Sequence, residues 1–137
     1  MSRLATVLRV AELTEAAARA RLARASADVT LAVEVEVDRR GALALLAGPA
    51  GLRPAVERTV QRREAHAGAV VEAGALLEQA HAAREGCLAQ WQATARRREG
   101  MAGLVAKHAE SARLDREHRD QLLADDLSAA RMSRRSS

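Results

Sequence analysis

The chain has 137 residues, 48% of them nominally hydrophobic, yet it holds one Trp, no Phe and no Tyr. Alanine contributes most to that fraction, whereas large aliphatic and aromatic side chains supply most of the area of a globular core; composition therefore excludes a compact core and favours long helices of Ala, Leu, Glu, Arg and Gln. With 22 basic and 18 acidic residues interspersed, the net charge of +4 describes a two-sign helix surface, not the one-sided basic face with aromatic platforms of nucleic-acid proteins.

The first element reads as a helix over about 2–47. A heptad register places Leu4, Leu8, Ala11, Ala18, Leu22, Ala25, Val29 and Ala32 on one seam, interrupted by Glu15 and Glu36. Within it, "TLAVEVEVD" (30–38) alternates apolar and charged residues, the pattern of a strand. Nothing else in the chain offers that strand a mate, so the helical flanks are expected to override it and leave a weak spot.

"AGPAGLRPA" (47–55) carries both prolines of the chain. Pro49 disfavours helix at Gly48, and Pro54 suits the first turn of a new helix. A turn over about 48–54 then joins antiparallel neighbours. The second helix is expected over about 55–132, on a seam through Val56, Val60, Ala67, Val70, Leu77, Leu88, Trp91, Ala95, Ala102, Val105, Ala109 and Ala112. Arg63, Gly74, His81, Arg84 and Arg98 interrupt it; the stems of long basic side chains can lie along such a seam. At 1.5 Å per residue the arms would measure about 70 and about 110 Å. The first arm would run out opposite roughly residue 100, beside Gly100 and Gly103, leaving a charged overhang. The expected fold is all-α: a two-helix antiparallel coiled-coil hairpin with a longer second helix.

Each alanine in a seam forgoes about 2 kcal/mol of burial relative to leucine, so the hairpin is expected to be marginal alone and completed by a partner. No catalytic constellation accompanies it. His66, His81, His108 and His118 are never three or four apart, as a helical metal pair requires. Cys87 is alone, which implies a reducing compartment. No phosphate loop or dinucleotide fingerprint occurs. Asp125 and Asp126 are adjacent on a helix and do not converge as an acid–base pair. His81 is expected to pack in the seam, and Trp91 either packs there or anchors a partner. No cofactor, metal or enzymatic activity is expected. The opening "MSRLATVLRV" lacks a signal-peptide core and no apolar run suffices to span a bilayer, which implies a cytoplasmic protein.

Two segments carry a resemblance. The opening "RLATVLRVAELTEAAARARLARA", with Leu4, Val7, Leu8, Val10, Ala18, Leu22 and Ala25 in heptad rhythm, resembles the start of the FliJ family, the stalk proteins of flagellar type III export. The close, "ADDLSAARMSRR", is similar to that family's terminal pattern of an acidic pair, a small residue, and Arg before an apolar residue, here Asp125, Asp126, Ser128, Arg131 and Met132. Asp126 stands where the family more often has Glu, and Ser128 where it more often has Ala. The resemblance implies a non-enzymatic central stalk seated in the hexameric flagellar export ATPase, promoting its activity and contacting the transmembrane export gate and export chaperones. It also implies a cytoplasmic protein held peripherally at the membrane through those partners. The ATPase-facing end would carry Leu4, Leu8, Leu123, Asp126, Leu127 and Arg131. Two alternatives stand beside it: a coiled-coil scaffold or adaptor for another partner, including a related secretion-system stalk, and a basic helical nucleic-acid binder acting through Arg96, Arg97 and Arg98.

Overall fold

The structure, a computed structural model, describes residues 2–46 and 53–136, excepting the side chains of 53–56. The chain is all-α. Helix α1 spans Arg3–Ala44 and α2 spans Arg53–Ser136; at 84 residues α2 is the longer. Most of the expected turn over 48–54 lies outside the described residues, but α2 has already begun at Arg53, which brings Pro54 into its first turn. At the other end α2 continues past residue 132 to Ser136.

Local chemistry accounts for the ends of α1. Ser2 is its N-cap: the Ser2 hydroxyl accepts from the Ala5 amide at 3.2 Å, and the Ser2 carbonyl accepts from the Thr6 amide at 3.2 Å. At the C-terminus the Leu45 amide donates to Gly41 and the Leu46 amide to Leu43 (3.1 Å), a tightening of the last turn. The freed Leu46 carbonyl is taken by the Arg63 guanidinium of α2 at 3.2 Å. Arg63 therefore stands exposed at the hairpin's end instead of lying along its seam.

Two compact units are distinguished, Thr14–Ala95 and a second made of Met1–Leu13 with Arg96–Ser137. The first is an antiparallel hairpin. Besides Arg63 on Leu46, Arg84 of α2 donates through Nε to the Ser26 hydroxyl of α1 at 3.1 Å. Moving twenty residues along α1, from Ser26 to Leu46, moves the partner back twenty-one along α2, from Arg84 to Arg63. That is an antiparallel register held over three heptads.

The α1 seam alternates steps of four and three through Glu15, Ala18, Leu22, Ala25, Val29, Ala32 and Glu36, all buried or half-buried. Every seventh position is alanine, and Ala18 and Ala25 are only 2% and 8% exposed. Small side chains at heptad spacing let helix axes approach toward the short end of the usual 8–10 Å range, recovering dispersion energy that alanine forgoes in transfer energy. On α2 the matching small positions are Ala73 (4% exposed), then Ala80, Cys87 and Thr94, alternating with Val70, Leu77, Arg84 and Trp91. Most of the expected α2 seam is half-buried, from Ala67 to Val105; at two of its interruptions the neighbouring residue is the better covered, Ala73 more deeply than Gly74, and Ala80 while His81, expected to pack, is exposed. Val60 is exposed as well. The acids within the seam carry their own counterions one turn on, Glu15 with Arg19 at 3.0 Å and Glu36 with Arg40 at 2.6 Å.

Residues 30–38 are helical. A period of two cannot sit on one face of a helix, so Leu31, Val33, Val35 and Val37 are all exposed. The local preference for strand is overridden at the cost of leaving four apolar side chains in solvent.

In the second unit, Leu4, Leu8 and Ala11 on α1 and Arg98, Met101, Ala102 and Val105 on α2 are withdrawn from solvent, Ala11 to 7% exposure. The α2 helix runs unbroken through Gly100 and Gly103. From 106 to 136 every residue is exposed, including Ala109 and Ala112, which the heptad reading had placed in the seam.

Candidate functional site: the uncovered end of the second helix

A helix without tertiary cover must support itself, and residues 106–136 contain the means. Arg113 donates to Glu110 one turn before it (2.6 and 2.9 Å) and to Glu117 one turn after it. The guanidinium holds the Glu110 carboxyl below its ordinary value of 4.5, and the two carboxylates together raise Arg113 above its own. Such i,i+3 and i,i+4 pairs support a helix that has no tertiary cover. Arg116, Ser128 and Ser136 donate back to carbonyls of the preceding turn, Ala112 (3.2 Å), Ala124 (2.8 Å) and Met132 (3.0 Å). Arg134 and Arg135 occupy the last turn, where cations offset the negative end of the macrodipole.

What this segment presents is a set of faces with different chemistry. Leu123, Leu127 and Arg131 recur every four residues and share one stripe, with Asp126 beside it at i+3 from Leu123. Leu123 and Leu127 are exposed apolar side chains, as are Leu114, Leu122 and Met132. At the tip, Arg131, Met132, Arg134 and Arg135 border an open hollow. The segment holds seven basic residues (Lys107, Arg113, Arg116, Arg119, Arg131, Arg134, Arg135) and six acidic ones (Glu110, Asp115, Glu117, Asp120, Asp125, Asp126). That near balance gives no strongly positive field for a phosphate backbone.

The six expected partner-binding residues do not form one patch. Leu123, Asp126, Leu127 and Arg131 are brought together on the uncovered helix. Leu4 and Leu8 are half-buried seam positions of α1, engaged in packing. About 27 Å of helix rise separates Val105, the last half-buried position of α2, from Leu123. The basic run near the middle of α2 is likewise divided, with Arg96 and Arg97 exposed and Arg98 half-buried.

Elsewhere the molecule offers little chemistry. Among the described residues no group of three or more His, Cys, Asp or Glu could hold a metal ion. Among the described residues no helix is long and apolar enough to cross a membrane. Cys87 is a half-buried free thiol in the hairpin seam. Trp91, one turn further on, is half-buried there too. Its indole Nε1 is closed off from solvent without a hydrogen-bond partner, an arrangement that costs about 1–3 kcal/mol and that sequence reasoning had not anticipated.

Comparison with known proteins yields no matching family model, curated protein or solved structure.

Proposed function

We propose that the chain is a non-enzymatic helical stalk whose uncovered α2 end docks into a partner, and that the partner is the hexameric ATPase of flagellar type III export. The observation that carries this reading is the exposure of every residue from 106 to 136 on a helix that is otherwise paired. That helix is stiffened by its own ion pairs and bears the Leu123–Leu127–Arg131 stripe. A preformed helix loses little conformational entropy on docking, which favours a groove- or pore-shaped receptor. The choice of ATPase rests on the resemblance of the opening heptads and the "ADDLSAARMSRR" close to the FliJ family. In this reading the protein is cytoplasmic and meets the membrane through the export gate, with export chaperones as further partners.

The test is ATP hydrolysis by the flagellar export ATPase of the same organism, with the full chain, with a chain ending at Leu122, and with Leu127→Asp. Stimulation by the full chain and not by the other two is expected. Stimulation by all three keeps the stalk and removes the docking stripe. No stimulation by any helical version removes the ATPase and leaves the adaptor for an unrelated partner, a reading that draws on the same uncovered helix.

A further inference from the structure

The face of α2 opposite the Leu123–Leu127–Arg131 stripe has an internal symmetry. Leu114 and Leu122 lie four residues either side of His118, and Leu104 and Met132 lie fourteen either side. Seven-residue and four-residue steps keep a helical position on one face, so these four side chains and His118 form a single stripe. All four apolar side chains are exposed. In an antiparallel pair centred on His118, the stripe meets its own copy: Leu114 opposes the second copy's Leu122, and Leu104 opposes its Met132. A parallel in-register pair would set Lys107 against the second copy's Lys107 and Asp125 against its Asp125, whereas the antiparallel pair brings each near its opposite; His118 meets its own copy in either.

The charges beside the stripe are arranged for the same partner. Asp115 and Arg119 are one turn apart, a spacing that normally closes an ion pair along the helix. Nevertheless, among the described residues, neither forms an ion pair within the chain. In the antiparallel pair Asp115 comes level with the second copy's residue 121, two residues from its Arg119, and the two-fold axis generates the same contact again. Lys107 likewise falls within about a turn of the second copy's Asp125; Lys107 and Asp125 also form no ion pair in this chain among the described residues. Opposite charges thus meet twice on each side of the axis, Asp115 and Arg119 beside the stripe and Lys107 and Asp125 within it, among eight apolar side chains that are now in water.

We propose that the uncovered part of α2 is a self-recognition surface, on which two copies of this chain associate as an antiparallel pair centred on His118. The association leaves the Leu123–Leu127–Arg131 stripe on the outside, so it does not depend on what docks there. It withdraws Leu104, Leu114, Leu122 and Met132 from solvent and uses a helix that is formed before association.

Sedimentation equilibrium of the full chain tests this. A reversible dimer is expected, at least about tenfold weaker for Leu114→Asp, with unchanged far-UV circular dichroism because Leu114 packs against nothing in the single chain. Asp115→Arg alone and Arg119→Asp alone each place like charges opposite one another, and each should weaken self-association. Mixed one to one, the two variant chains should recover it, since each then meets its complement. A chain that is monomeric at all concentrations overturns the proposal, as does a dimer indifferent to Leu114→Asp. A mixture no tighter than its components overturns the antiparallel register.

Discussion

Replacing helix glycines with alanine should stabilise this protein more than any core substitution could. Gly68, Gly74 and Gly86 lie inside α2, within the Thr14–Ala95 hairpin. None has a positive φ, so none needs glycine for its backbone conformation. A Cβ built at any of the three meets nothing within 4 Å, so none is needed for a close approach. What remains is the entropic penalty of holding glycine in a helix, about 1 kcal/mol each relative to alanine. The triple Gly→Ala chain should gain about 3 kcal/mol, a rise in Tm of about 10 °C for a chain of this size. Thermal denaturation followed by far-UV circular dichroism measures it. Gly86→Ala and Gly74→Ala should each supply the propensity share alone, because a methyl group at either position meets open space. A triple variant with an unchanged or lower Tm would refute the reasoning, because it would mean that the helices use the space the glycines leave.

Ala18→Leu should cost about 1–3 kcal/mol by overpacking a position that is 2% exposed, whereas the exposed Ala109→Leu should stay within about 0.5 kcal/mol; chemical denaturation of both chains makes the comparison. The triple replacement of Val33, Val35 and Val37 by alanine should raise stability, by about 0.5 kcal/mol per site, because β-branched residues without cover contribute little to a helix but strain on χ1. Hydrogen exchange over residues 30–38 should slow in parallel. For Glu110 the carboxyl is depressed in the folded helix, so its contribution is present above the ordinary 4.5 and is lost as pH falls through the lower folded value. Carbon-detected NMR should place its midpoint below 4.5, and Arg113→Ala should return it to that value. Finally, under the proposed stalk role, Gly100→Ala with Gly103→Ala should leave any ATPase stimulation intact if α2 works as the unbroken helix it is here; lost stimulation with raised helicity would mean that the partner bends it there.

The amino-acid sequence alone determined the class of the fold and one of its two surfaces. Alanine-rich, aromatic-poor composition allows long helices and little else, and the two prolines with their glycines leave one place for a reversal. On α1 the heptad from Leu4 to Glu36 was legible residue by residue, because Leu and Val alternate with Ala against a charged background. The same reading slipped on α2. There two adjoining heptad faces both carry small or apolar residues, Ala73, Ala80, Cys87 and Thr94 on one and Gly74, Leu88 and Ala95 on the other, and a straight helix drifts by about 20° per heptad against a seven-residue repeat. Packing decided it: Ala73 is buried and Ala80 half-buried, while His81 is exposed. Tertiary structure also decided where the seam stops. Ala109 and Ala112 continue the heptad in sequence, but nothing covers them beyond Val105, and a periodic pattern shows that a face could be buried without showing whether anything is there to bury it. For the same reason Leu4 and Leu8 could not be separated by sequence from Leu123 and Leu127. All four are leucines on helix faces; packing closes the first pair and leaves the second pair open.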